Sequence, residues 1–131
     1  MLDAAIQGIF GLLNLTTLMW MIVGVVVGLM FGAMPGLGGT TFLAILVPIT
    51  FTMSSEQAMA LLVGGHSAIM FGGSISAILI NTPGTGQNVA TTFDGYPLTQ
   101  QGRAGEALGA SATASAIGGA VGAFVLVGLL P

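Results

Sequence analysis

Residues 15–34 form an apolar run with no charged member, and it stops at Pro35-Gly36. About 20 apolar residues, wound as a helix, cross a hydrocarbon core about 30 Å thick. Inside such a core every backbone N–H and C=O must be satisfied within the chain, which points runs of this length to helices. Further apolar segments cover residues 42–80 and 107–131. The expected fold is an all-α membrane protein with three or four passages through the lipid bilayer and no separate soluble domain. Composition agrees: only 4% of residues are charged, where a soluble domain carries about 25%.

The charge inventory excludes several function classes. The chain has no lysine, and Arg103 is its only formal cation, so nucleic-acid binding through a basic patch is excluded. Without cysteine there is neither a thiolate metal site nor a cysteine nucleophile. One histidine, His66, cannot assemble a metal ligand set alone. A phosphate loop needs a lysine after its last glycine. Gly73-Ser74-Ile75-Ser76 lacks the spacing of a nucleophile elbow. No enzyme activity is expected.

Along the chain, Leu2, Ile6, Ile9, Phe10 and Leu13 recur at helical spacing, with Asp3, Gln7 and Asn14 polar. Residues 1–14 read as an interfacial helix or as an extension of the helix that follows. The start MLDAA lacks a basic leader region, so the first hydrophobic segment is expected to be retained. Trp20 suits the headgroup level. Gly24, Gly28 and Gly32 make two overlapping GxxxG steps, the signature of a close helix–helix seam. Ser54 and Ser55 before Glu56 form a helix start. Gly64, Ala68, Gly72 and Ser76 then give a small-residue stripe, a candidate partner for that seam. Ala110, Ala114, Gly118 and Gly122 repeat the pattern. The last apolar segment reaches Pro131 without a polar tail, so more membrane protein is expected to follow.

Two stretches share one logic. Residues 35–41, PGLGGTT, and residues 81–88, NTPGTGQN, each follow an apolar run with Pro-Gly and then supply hydroxyl or amide side chains. Proline ends the preceding helix, and glycine lets backbone N–H groups approach a ligand. A helix starting after such a break points free N–H groups and its positive dipole end into the gap, which suits a carboxylate or phosphate without any lysine. Unwound carbonyls and Thr or Asn oxygens suit a small cation such as Na⁺. The candidate binding residues are Pro35, Gly36, Gly38, Gly39, Thr40, Asn81, Thr82, Pro83, Gly84, Thr85 and Asn88. The short segment 42–53, interrupted by Pro48, reads as part of a discontinuous or re-entrant helix. The alternative is a plain turn followed by one span running through Pro48 to about residue 60.

His66 stands in the middle of an apolar segment. Intramembrane ionisable residues are costly and often functional; the roles open to it are proton (H⁺) coupling, ligand contact or a neutral hydrogen bond to another helix. Residues 81–106 read as a polar break and loop. Within it Asp94-Gly95-Tyr96-Pro97 reads as a turn, with Asp94 and Arg103 as loop or gate residues and Arg103 paired to Asp94 or Glu106. Arg103 alone places this loop in the cytoplasm.

The run GGSISAILINTPGTGQNVATTFDGYPLTQQGRAGEALG, together with GAMPGLGGTTFLAILVPITF, resembles the large membrane subunit of the tripartite tricarboxylate transporters. The resemblance implies a multi-pass permease subunit of the bacterial inner membrane, driven by an ion gradient. Its partners would be a small membrane subunit and a periplasmic solute-binding protein that delivers a tricarboxylate or related carboxylate. It also implies inverted repeats, of which this chain would be the opening part of the first. By motif, Pro35, Gly36, Gly38, Gly39, Asn81, Pro83 and Gly84 would be the pore-side breaks. Where the family often has aromatic and glycine residues before Gly-Gly-Ser, this chain has His66-Ser67-Ala68-Ile69. The competing function is a non-transporting membrane scaffold or assembly fragment.

Overall fold

The computed structural model of the chain describes residue 8 and residues 10–129. The interfacial helix expected over residues 1–14 falls largely outside them. All regular structure among the described residues is helical. Among the described residues from 15 onward, five α-helices follow in order: α1 (Leu15–Ala33), α2 (Gly39–Thr50), α3 (Ser55–Ile80), α4 (Val89–Gln100) and α5 (Ala104–Leu129), with a 3₁₀ turn, Gly86–Asn88, leading into α4. Helices α1, α3 and α5 are long and apolar enough to cross a membrane.

The central interface joins α1 to α3, and glycine makes it. A Cβ on Gly24, Gly28 or Gly32 would overlap the carbonyl oxygen of Leu61, Gly65 or Ile69 respectively. The pairing keeps constant register, so α1 and α3 run parallel with their backbones in contact. Lipid tails are as apolar as leucine, so such close van der Waals packing, rather than a hydrophobic drive, holds the pair. The α3 side of the seam differs from the expected stripe. Gly72 touches Gly32 and Gly64 touches Met21 and Val25 of α1, but Leu61, Gly65 and Ile69 carry the register, and Ser76 faces Gly84 instead.

Parallel neighbours require the chain to return between them, and α2 does this. Its 12 residues rise only about 18 Å. Phe42 anchors it: the side chain is fully buried, lies edge-on to Phe31 at 5.9 Å and fills the space a side chain on Gly65 would need. Pro48 lies inside α2, which ends two residues later at Thr50. There the Thr50 hydroxyl donates to the Val47 carbonyl at 2.7 Å and that of Thr52 to Ile49 at 3.1 Å. The chain turns at residues 51–54, so the single span running through Pro48 to about residue 60 does not form. Helix α3 starts as expected, with the Ser54 hydroxyl accepting from the Gln57 N–H.

The region after α3 corrects the sequence reading. Asp94-Gly95-Tyr96-Pro97 is not a turn; it lies within α4. Tertiary packing overrides the local breakers here. Gly95 brings α4 against Ile78 of α3, and the Thr99 hydroxyl donates to the Ile78 carbonyl at 2.7 Å. The true turn is residues 101–103, where Gly102 takes φ +76°. Helix α5 then leaves this corner, and beyond Ala107 its residues are half-buried or exposed, Phe124 at 80%.

Candidate functional site

Both Pro-Gly stretches meet at one place. Helix α1 ends at Ala33, and residues 34–38 turn through Gly36, whose φ of +91° is a conformation that favours glycine. Gly38 caps α2 without a side-chain hydrogen bond, so the first N–H groups of α2 are free to meet a ligand. The anchoring of Phe42 on Gly65 fixes where this helix end lies. It lies beside His66: a Cβ on Gly39 would stand 2.8 Å from the imidazole Cε1 and 3.0 Å from Nδ1.

The second stretch folds back onto the same level of α3. Asn81 ends the helix in the left-handed conformation, φ 58°, which asparagine tolerates better than most residues. Its N–H bonds the Ser76 carbonyl, and the Thr82 hydroxyl donates to Ile80 at 3.3 Å. Gly84 then enters a crevice that admits no side chain. Its N–H donates to the Gly73 carbonyl at 3.3 Å, and an added Cβ would overlap the Gly32 carbonyl oxygen. Asn88 fastens the segment. Its side-chain amide donates to the Met70 carbonyl at 3.0 Å and to the Ser74 hydroxyl at 2.7 Å. Its carbonyl accepts from the Thr85 hydroxyl, and the residue is buried.

Between the stretches lies a cavity of about 380 Å³, lined by Gly36, Gly38, Gly39, Thr40, His66, Met70, Gly84, Thr85, Gly86 and Gln87. Seven of these were singled out from the sequence: Gly36, Gly38, Gly39, Thr40, Gly84, Thr85 and His66. Pro35, Asn81, Thr82 and Pro83 do not line it; Asn81 and Thr82 finish helix α3. Asn88 is bonded within the protein beneath the cavity floor. Gln87, Gly86 and Met70 are additions. Gln87 was legible as an amide in the second stretch, whereas Met70 has no local signal and arrives only because α3 passes behind. The lining combines backbone N–H groups, hydroxyls, an amide and an imidazole, with no acidic side chain. Such a set can hold an anion by hydrogen bonds alone.

Asp94 and Arg103 lie elsewhere. Arg103 pairs with Glu106 at 2.6 Å, both side chains more than half exposed. This hydrogen bond, more than the accompanying charge attraction, holds the guanidinium further toward its charged form. Asp94 lines a second cavity of about 510 Å³ between α3, α4 and α5. Among the described residues no group of three or more His, Cys, Asp or Glu gathers to hold a metal ion.

Residues 18–131 match a family model described as the tripartite tricarboxylate transporter TctA family. A protein of Agrobacterium vitis, named as an uncharacterized 52.8 kDa protein in the TAR-I ttuC' 3' region, is 41% identical over 109 residues, 83% of this chain and 22% of that protein. The chain thus spans about a fifth of the length of that curated relative. No solved structure matches it.

Proposed function

The chain belongs to the tripartite tricarboxylate transporter TctA family, and from that membership we propose that it is part of a permease whose cavity between the two Pro-Gly stretches binds a carboxylate of the substrate. The observation that carries this reading is the convergence, around His66, of the α2 N-terminus and the Gly84–Gln87 edge. Transporter sites of this kind place helix N-termini toward substrate carboxylates near the bilayer midplane. His66 is the twelfth residue counted from Ser55 in a 26-residue helix, which puts the cavity near mid-membrane when α3 spans. Helix α2, too short to cross alone, is then a re-entrant element whose free end meets the ligand.

The whole permease would work in the bacterial inner membrane with a small membrane subunit and a periplasmic solute-binding protein, and an ion gradient would drive tricarboxylate uptake. This chain contributes a segment of that permease.

The test uses the full-length permease reconstituted with its two partners. Gly84→Leu and Gly36→Leu are expected to abolish citrate uptake while membrane insertion persists. The milder Gly39→Ala narrows the cavity against His66 and is expected to weaken citrate binding. Normal uptake by Gly84→Leu would sink the anion site.

A further inference from the structure

The hydrogen bonds of Asn88 give one lining group of the first cavity a fixed polarity. The Asn88 side-chain amide is buried and meets the Met70 carbonyl at 3.0 Å and the Ser74 hydroxyl at 2.7 Å. A backbone carbonyl has no proton to give, so the amide nitrogen must be the atom that faces Met70. The amide oxygen is then the atom that meets the Thr85 hydroxyl. An amide oxygen only accepts, so Thr85 must donate to it. Gly73 leaves the room for this arrangement: a Cβ there would overlap Asn88 Oδ1 and stand 3.1 Å from the Thr85 backbone nitrogen.

A hydroxyl carries a single proton. With that proton committed to Asn88, Thr85 has only a lone pair to offer a ligand in the cavity it lines. A carboxylate oxygen is itself an acceptor and gains nothing beside it; its donors are the free N–H groups at the start of α2. What Thr85 can bind is a group that donates. An ammonium would bring a charge into the cavity, and no acidic side chain lines it to offset that charge. A hydroxyl donates without charge. We propose that Thr85 is a specificity-determining residue that accepts a hydrogen bond from a hydroxyl group of the substrate, so that the cavity selects hydroxy-substituted carboxylates over those lacking the hydroxyl. The selection rests on the carboxylate reading of this cavity. One neutral hydrogen bond sets its size at about threefold to tenfold in affinity.

The experiment measures binding of citrate and of tricarballylate, which is citrate with its hydroxyl replaced by hydrogen, to the purified full-length permease by titration calorimetry. Wild type is expected to bind citrate about threefold to tenfold more tightly. Thr85→Val removes the lone pair and is expected to bring citrate down to the affinity of tricarballylate, so that the preference disappears. Thr85→Ser keeps the hydroxyl and is expected to retain it. Thr85→Val also leaves Asn88 Oδ1 without its donor, and any loosening of the cavity edge that follows weakens both ligands alike. The ratio of the two affinities is therefore the readout, and Thr85→Ala gives it where Thr85→Val does not fold. Equal affinities in wild type overturn the selection and leave the carboxylate pocket in place. An undiminished preference for citrate in Thr85→Val or Thr85→Ala likewise overturns the role of Thr85 alone. Failure of wild type to bind either ligand overturns the carboxylate pocket, and the selection with it.

Discussion

The carbonyl oxygen of Gly65 on α3 occupies the space in which any side chain on Gly28 of α1 would have to stand. The obstacle is backbone, which cannot rotate away as a side-chain tip can. Gly28→Ala should therefore push the helices apart and cost about 1–3 kcal/mol, the usual range for overpacking a tight core. Thermal unfolding of the full-length protein in detergent measures it. Gly105→Ala, where an added Cβ meets nothing within 4 Å, should stay within about 0.5 kcal/mol of wild type.

The left-handed backbone of Asn81 makes a second prediction. Asn81→Gly should preserve or slightly raise stability, because glycine takes φ 58° without a Cβ clash. Asn81→Val should lose about 1–2 kcal/mol. Equal unfolding temperatures for the two variants would remove the conformational role of Asn81.

Thr99 reaches across from α4 to the Ile78 carbonyl, one of the last four of α3 and so without an intrahelical partner. Thr99→Val keeps the shape and removes the donor. A loss of about 1 kcal/mol is expected, with faster amide exchange in residues 76–82 than in wild type.

His66 presents its ring to the cavity beside the α2 N-terminus. A hydrogen bond to a charged ligand contributes about 1.5–3 kcal/mol, so His66→Ala should raise KM for citrate about tenfold or more with insertion unchanged. His66→Gln, which keeps a donor, should recover part of this.

The candidate site was partly legible because glycine and proline act locally: α1 ends at Ala33 and α3 at Ile80, just ahead of the two Pro-Gly pairs, and both stretches could be read from sequence. Their meeting could not, since residues 39 and 84 are brought together only through Gly65, which seats Phe42, and Gly73, which seats Gly84. Asn88 shows the same limit. Its amide marked it as a ligand candidate, but the carbonyl of Met70 and the hydroxyl of Ser74 had already satisfied it. The turn expected at Asp94-Gly95-Tyr96-Pro97 failed for the converse reason. Residues that break an isolated helix are tolerated in α4 because Gly95 and Thr99 bind it to α3.

Sequence by itself determined the membrane-compatible composition, the helical class, the glycine face of α1 and the positions of the two Pro-Gly stretches, since each follows from hydropathy and backbone sterics within a few neighbouring residues. Tertiary structure alone decided the parallel register of α1 and α3, the gathering of Gly39, His66 and Thr85 around one cavity, and the separation of Asp94 into another. Those depend on which backbones can touch, and contact between residues far apart in the chain is set by packing, which no local pattern encodes.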